Sequence, residues 1–186
     1  MTGGRPERSE LPGAAAAAAQ APVFVTVGTQ LPFPRLVDAV DALAPGLGRP
    51  VIAQVGPEAA AGRWRHVEVA PFLDAAAFAA LAARACVIVG HAGIGTFLTA
   101  RSHGVPAVLA PRRAALGEHR NEHQLATARR LEGRPGVAIA WEMEALGPLI
   151  AAAAAGPDPS APAGPSAAEG TLDALIARLA AEIARA

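Results

Sequence analysis

The feature that most constrains the fold is a regular alternation of short apolar segments with amphipathic segments between residues 23 and 155. The apolar segments are four or five residues long and rich in Val and Ile, which is typical of strands buried on both faces of a sheet. The segments between them repeat apolar residues at helical spacing, as Leu36, Val37, Val40 and Leu43 do. This alternation predicts an α/β fold with a parallel sheet covered by helices on both faces.

The predicted strands are Val23–Val27, Val51–Val55, His66–Val69, Cys86–Val89, Pro106–Ala110 and Val137–Ala140. The predicted helices are Arg35–Leu43, Asp74–Arg84, Gly93–Ser102, Glu118–Leu131 and Glu142–Ala155. In open parallel sheets, ligands bind beyond the carboxyl ends of the strands. The glycines and polar side chains that follow these strands are therefore expected to lie together at one edge of the sheet.

The two ends of the chain differ in composition from this central domain, residues 22–155. Residues 1–21 combine Pro, Gly, Ser and both signs of charge with an alanine run, which predicts a disordered tail rather than a signal peptide. Residues 156–170 are predicted to be a flexible linker, because Pro, Gly, Ala and Ser dominate them. Residues 171–186 predict an amphipathic helix that either packs on its own domain or docks on a partner chain. Its apolar stripe consists of Leu172, Leu175, Ile176, Leu179 and Ile183.

Composition argues against several classes of protein. The formal net charge is zero and every basic residue is Arg, so there is no electrostatic basis for nucleic-acid binding. Cys86 is the only cysteine, which leaves no disulfide and predicts a reduced, cytoplasmic setting. No apolar run approaches the roughly 20 residues that a membrane span requires. Contact with a membrane is therefore expected only through a partner.

Two polar motifs point to a sugar-nucleotide site. The sequence His91-Ala-Gly-Ile-Gly-Thr96 joins a predicted strand to a predicted helix. The free N–H groups and dipole of such a helix start attract phosphate, and glycine lets it approach the backbone. The second motif, Gly117-Glu-His-Arg-Asn-Glu-His-Gln124, carries side chains that bond hydroxyl groups, as a sugar requires. A tight turn without a ligand would also explain the first motif.

Other ligand classes fit the sequence less well. The first turn, Gly28-Thr-Gln-Leu, lacks the Gly-x-Gly-x-x-Gly of nicotinamide dehydrogenases, and a chain without Lys has no P-loop. The segment His119-Arg-Asn-Glu-His123 matches the His-x-x-Glu-His spacing of inverted zinc proteases, so a zinc hydrolase remains an alternative. A solvated helix start with incidental histidines is a further alternative.

The motifs occur in the order found in glycosyltransferase family 28 C-terminal domains, which the chain resembles over about residues 22–150. The resemblance implies a Rossmann-like sheet, the C-terminal lobe of a GT-B glycosyltransferase. The chain is similar to stand-alone donor-binding subunits of two-chain enzymes, such as the dolichol-linked N-acetylglucosaminyltransferase and bacterial exopolysaccharide β-1,4-glycosyltransferases. The matching motifs are Val25-Thr-Val-Gly-Thr29 with Phe33, Gln54-Val-Gly56, Pro71-Phe-Leu-Asp74, His91-Ala-Gly-Ile-Gly-Thr96, Gly104-Val-Pro106, Pro111-Arg112 and Glu118-His-Arg-Asn-Glu-His-Gln124.

The resemblance also implies roles for matching residues. Gly28 and Thr29 would form the cleft floor, and backbone groups of Phe72 and Leu73 would hold uracil. The residues implied for the pyrophosphate are His91, Gly93, Gly95 and Thr96. The residues implied for the hexose are Glu118, Asn121, His123 and Gln124. Many relatives carry a ribose-binding Glu where this chain has Thr99, a departure that puts strict preference for UDP in question.

The implied reaction is metal-independent, inverting transfer of a hexose such as GlcNAc or Glc from a UDP-sugar to a lipid-linked or polysaccharide acceptor, without a cofactor. A protonated His91 would help to stabilise the diphosphate leaving group. No residue is a convincing base, so a membrane-associated acceptor-binding partner is expected to supply it and to recruit the chain to the inner face of the membrane. A non-enzymatic nucleotide-sugar-binding module remains the alternative class.

Overall fold

The structure is a computed structural model that describes residues 20–29, 31–57 and 62–156. Three sequence predictions fall wholly or almost wholly outside these residues. They are the N-terminal tail of residues 1–21, the linker of residues 156–170 and the terminal helix of residues 171–186. These three stay predictions.

Six parallel strands form one sheet in the order β3-β2-β1-β4-β5-β6. The strands are β1 (Val23–Thr26), β2 (Val51–Gln54), β3 (Glu68–Ala70), β4 (Val87–His91), β5 (Ala107–Ala110) and β6 (Val137–Ile139). Val23 of β1 lies opposite Val51 of β2 on one side and Val87 of β4 on the other. The strand order reverses between β1 and β4, and such a switch point opens a crevice at the carboxyl ends of the strands.

The residues that the structure describes form five α-helices, which accompany the sheet. They are α1 (Pro34–Leu43), α2 (Ala75–Arg84), α3 (Ile94–Ser102), α4 (His123–Leu131) and α5 (Leu146–Ala154). Short 3-10 helices span Ala44–Gly46, Ala114–Leu116 and Met143–Ala145. Local sequence explains two of the helix starts, since proline occupies the first position of α1 and the Asp74 carboxylate accepts a hydrogen bond from the Ala77 amide at 2.8 Å.

Two hydrophobic cores lie on opposite faces of the sheet. Val23 and Val25 contribute to the core that includes residues of α1 and α5, whereas Phe24 contributes to the core that includes residues of α2, α3 and α4. This division follows from the strand geometry, because successive side chains point to opposite faces. The predicted parallel sheet with helices on both faces is confirmed.

One predicted helix was placed too early. The sequence prediction started the fourth helix at Glu118, but α4 begins at His123. The chain before it forms the 3-10 helix Ala114–Leu116 and then an irregular segment, in which Gly117 adopts a φ of 71°. The left-handed backbone at Gly117 ends the 3-10 helix, so the motif 118–122 lies in a loop. None of the helices in residues 20–156, as far as they are described, is long and apolar enough to cross a membrane.

Candidate functional site

A polar cavity of about 430 Å³ lies at the carboxyl ends of β1, β2 and β4, where the strand order reverses. It brings together seven of the residues predicted for the site: Gly28, Thr29, His91, Gly93, Gly95, Thr96 and Gln124. Its other lining residues are Thr26, Val27, Leu31, Gln54, Phe78, Ile94, Thr99, Arg112 and His119. A larger cavity of about 680 Å³ lies at the amino ends of β5 and β6 but is lined mainly by Ala, Val, Pro and Gly. Of these two cavities in the described part of the chain, the first has the polar lining that a nucleotide sugar needs.

Two glycines enclose the His91 imidazole. A Cβ atom at Gly28 would lie 2.9 Å from His91 Cε1, and a Cβ atom at Gly93 would lie 2.4 Å from His91 Nε2. Gly28 also has a φ of 78°, which side chains rarely adopt. Both glycines are therefore needed to accommodate the histidine ring, a reason that the sequence motif did not reveal.

His91 is neutral at pH 7 in the ligand-free protein. Burial and the nearby Arg112 and His119 lower the pKa of His91 to about 4, although a hydrogen bond to the Thr26 backbone opposes the change. The Thr96 hydroxyl lies 3.3 Å from His91 Nδ1 and helps to orient the ring. Desolvation disfavours the charged imidazole without a ligand, and the role of a protonated His91 towards a bound diphosphate stays a prediction.

The N-terminus of α3 faces the same cavity. Gly93 caps the helix with extended backbone, and a Cβ atom at Gly95 would meet no atom of the described residues within 4 Å. The first amides of a helix lack partners within the helix, so they are available to an anion. Gly90 was missed by sequence analysis: a Cβ there would lie 2.7 Å from the Thr26 carbonyl oxygen. Gly90 thus allows β1 and β4 to end close together beneath the cavity.

The segment predicted to hold uracil lies outside the cavity lining. The Phe72 side chain is 66% exposed, and the Leu73 amide donates a hydrogen bond at 3.0 Å to the buried Gln54 side chain. The Leu73 amide is therefore already engaged, and neither Phe72 nor Leu73 lines the cavity. Gln54 was not assigned a role from the sequence, yet it both lines the cavity and anchors this segment.

Glu118 was predicted to face the hexose, but its carboxylate is fully engaged by the protein. Arg35 donates to both carboxylate oxygens, at 2.5 and 2.8 Å, and the Arg113 amide donates to Oε2 at 2.9 Å. Burial acts to raise the pKa of Glu118, but these hydrogen bonds outweigh it and hold the pKa below its usual value. Glu118 therefore fixes the 112–118 loop against α1 and does not line the cavity.

The remaining hexose candidates divide into two groups. Gln124 is buried, lines the cavity and accepts a hydrogen bond from the Arg112 amide at 3.0 Å. Asn121 and His123 are exposed and hydrogen-bonded to each other, and neither lines the cavity. His119 belongs to the second motif but was not assigned a hexose contact of its own, and it does line the cavity. Gln124 and His119 are thus the members of the second motif that reach the site.

The structure does not form the helical geometry assumed for a zinc site. His119 precedes α4, so it and His123 do not occupy successive turns of one helix, although their rings meet edge to face with centroids 4.4 Å apart. The intervening Glu122 accepts a hydrogen bond from the Ala114 amide at 3.1 Å. Within the described part of the chain, no group of three or more His, Cys, Asp or Glu is arranged to hold a metal.

Arg112 is a site residue to which sequence analysis assigned no role. Its side chain is only 2% exposed, lines the cavity and lies over the Phe33 ring, with Cζ 5.1 Å from the ring centroid. Nη2 donates to the carbonyl oxygens of Val27 and Leu31 at 2.7 and 2.5 Å. These bonds join the loop after β5 to the turn that carries Gly28 and Thr29.

Replacing Glu118 with Gln is expected to destabilise the fold by about 1–3 kcal/mol at pH 7, because Arg35 loses a charged partner. Since the folded-state pKa of Glu118 is depressed, its stabilisation is present above the ordinary Glu pKa and is lost as the pH falls through the lower folded value. Thermal unfolding should show a lower Tm for Glu118→Gln than for wild type, and this difference in Tm should narrow below about pH 4.5. The control variant Glu144→Gln, at an exposed carboxylate, should have the Tm of wild type. A difference in Tm between wild type and Glu118→Gln that is equal at every pH would contradict the role of Glu118.

Comparison with known proteins agrees with this fold. The family described as glycosyltransferase family 28 C-terminal domain matches residues 22–136. A solved glycotransferase of kitacinnamycin is 22% identical, with 83% of this chain and 38% of that chain covered and a TM-score of 0.58. MurG of Acinetobacter baumannii is 24% identical, with 72% and 41% covered and a TM-score of 0.52. The glycosyltransferase VinC, solved in complex with DTDP, is 21% identical, with 81% and 37% covered and a TM-score of 0.56.

At these identities the solved structures show the fold alone, which is that of the C-terminal, Rossmann-like lobe of GT-B glycosyltransferases. The chain spans about two fifths of their length, between 37% and 41%. No curated protein sequence matches it. Because the family match covers residues 22–136 of 186, more than half of the chain, the protein belongs to the glycosyltransferase family 28 C-terminal domains.

Proposed function

We propose that the chain is the donor-binding subunit of a hexosyltransferase that uses a UDP-sugar and works with a partner chain. The observation that carries this proposal is the polar cavity at the switch point, which combines the N-terminus of α3, the half-buried His91 and the buried Arg112. Membership of glycosyltransferase family 28 supports the reaction class. The VinC complex with DTDP supports a nucleoside diphosphate as the ligand class.

The diphosphate would bind against the start of α3. Unpaired amides near Gly95 would donate to phosphate oxygens, and the helix dipole would add to the attraction. The single N–H of neutral His91 is engaged by the Thr26 backbone, and the charge of a bound diphosphate would raise the pKa of His91, so that a second N–H could donate to phosphate. The protein can therefore stabilise the leaving group with preorganised donors, which is the main requirement for breaking the bond between sugar and phosphate.

The sugar would extend from the diphosphate towards the second motif. Gln124 and His119 line the cavity on that side, and His123 directly precedes Gln124 at the start of α4. The Thr99 hydroxyl, at the position where relatives carry a ribose-binding Glu, donates to the Gly95 carbonyl at 2.9 Å. We therefore expect selectivity among nucleosides to come from contacts other than a carboxylate on the ribose.

The acceptor and its base would come from a partner. The family match, over residues 22–136, is to the C-terminal domain of family 28 glycosyltransferases. The partner we propose is a membrane-associated, acceptor-binding subunit that recruits this chain to the inner face of the membrane. GlcNAc or Glc would then be transferred to a lipid-linked or polysaccharide acceptor.

Replacing His119, which lines the cavity, with Ala is expected to weaken binding of UDP-GlcNAc about three- to tenfold and to leave UDP binding unchanged, because the lost contact would be to a sugar hydroxyl. Isothermal titration calorimetry with both ligands measures this difference. His103→Ala is the matched control, since His103 ends α3 away from the cavity and should affect neither ligand. Equal loss for UDP and UDP-GlcNAc would place His119 outside the hexose site.

Binding and transfer are expected to need no metal. Elemental analysis of the purified chain should find no stoichiometric zinc. A chelator should leave UDP binding intact, because helix amides and arginine stabilise the phosphate charge. Finding about one zinc per chain, lost in His119→Ala, would support the hydrolase alternative instead.

A further inference from the structure

The Arg112 guanidinium is a buried positive charge beside the candidate site. It contacts two carbonyl oxygens and the Phe33 ring, and among the described residues no carboxylate lies within ion-pair distance of it. Burial lowers the pKa of Arg112 while the more distant Glu118 opposes the change, and a guanidinium stays charged at neutral pH. A buried charge without a direct counter-charge is costly, so its retention calls for an anion.

The neighbouring arginines Arg35 and Arg113, unlike Arg112, each have a carboxylate partner. Arg35 pairs with Glu118, and Arg113 donates to Glu142 at 2.7 Å and to the Trp141 carbonyl at 2.6 Å. By contrast, Arg112 Nε is buried and has no hydrogen-bond partner within residues 20–156 as far as they are described. The positive charge without a paired carboxylate and the N–H without an acceptor both belong to the Arg112 side chain, which lines the cavity.

We propose that Arg112 supplies the fixed positive charge of the anion site and holds the turn that carries Gly28 and Thr29 in place for a bound diphosphate. This inference rests on the proposed function, which it deepens by naming the residue that balances the ligand's charge. At the low dielectric of the cavity wall, a fixed charge acts strongly without moving during the reaction. The Arg112 charge already acts on His91, because burial and then Arg112 are the largest causes that lower the pKa of His91.

The test separates charge from packing with three variants. Arg112→Gln removes the charge but keeps a side-chain N–H donor, Arg112→Lys keeps the charge, and Arg113→Gln is the control. Affinity for UDP is measured by calorimetry and affinity for uncharged uridine by NMR titration. We expect Arg112→Gln to lose about tenfold or more in UDP affinity with uridine binding unchanged, Arg112→Lys to restore most of the loss, and Arg113→Gln to match wild type. Equal losses for UDP and uridine, or no loss for UDP, would overturn the proposal.

A second measurement needs no ligand and no transfer activity. NMR pH titration of His91 should give a pKa of about 4 in wild type, raised in Arg112→Gln and unchanged in Arg113→Gln. The rise should be partial, because burial and His119 also lower the value. If the variants at 112 do not fold, a wild-type His91 pKa at or above 6.5 would overturn the proposal. Failure of wild type to bind UDP, with the His91 pKa still set by Arg112, would instead count against the proposed function.

Discussion

Replacing Gly93 with Val is expected to abolish UDP binding, lowering the affinity by about 100-fold or more. Even the Cβ atom would lie 2.4 Å from His91 Nε2 and 2.8 Å from His91 Cδ2, so the imidazole would have to leave its place between Gly28 and Gly93. The displaced ring and the added side chain would both block the approach of phosphate to the start of α3. Calorimetry with UDP measures the loss.

The control for this variant is Gly46→Ala, because a Cβ atom at Gly46 meets nothing within 4 Å among the described residues. Gly46→Ala should bind UDP as wild type does. Circular dichroism should show that Gly93→Val remains folded, since the clash is with a side chain at the rim of the sheet. A folded Gly93→Val that keeps wild-type affinity for UDP would show that the nucleotide does not bind at this turn.

Sugar transfer is expected to depend on a second chain, with a rate at least about 100-fold lower for this chain alone. The physical reason is that transfer needs a positioned acceptor and a base, which the proposal assigns to the partner, and losing a general base alone costs about 10²- to 10⁴-fold. The measurement is transfer from a UDP-sugar to a lipid-linked acceptor, with and without a co-encoded acceptor-binding chain.

The terminal segment offers a matched deletion for the same experiment. Removing residues 171–186 should leave the described domain folded and UDP binding nearly intact, while complex formation and transfer are lost. The apolar stripe predicted from Leu172 to Ile183 is the expected anchor for the partner. Full transfer activity by the isolated chain, equal to that with the partner, would contradict the subunit hypothesis.

The sheet and most helices could be predicted because their signals are local. Val23, Phe24 and Val25 are adjacent in sequence, and their alternation between two cores follows from strand geometry alone. The start of the fourth helix was misplaced because Gly117 and the following polar residues suit either a helix start or a loop. Local propensity does not decide between these two, and the hydrogen bond between Glu118 and Arg35 that holds the loop joins residues far apart in sequence.

The parts of the site that were missed depend on contacts between distant residues. Arg35 and Glu118 are 83 positions apart, and Arg112 bonds the Val27 carbonyl across 85 positions. A carboxylate bound by arginine and one that faces a sugar look the same in sequence, which explains the assignment of Glu118 to the hexose. Gly28, His91 and Gly93 line the cavity, but the clash that makes the glycines necessary depends on the folded position of the His91 ring.

The most direct test of the central claim, a donor-binding site at the carboxyl ends of β1 and β4, is isothermal titration of the full-length chain with UDP. The account predicts binding that is tighter for UDP than for GDP or ADP and that disappears in Gly93→Val. The titration is performed with the chain alone and again with its partner present. Absence of UDP binding in both titrations would contradict the account.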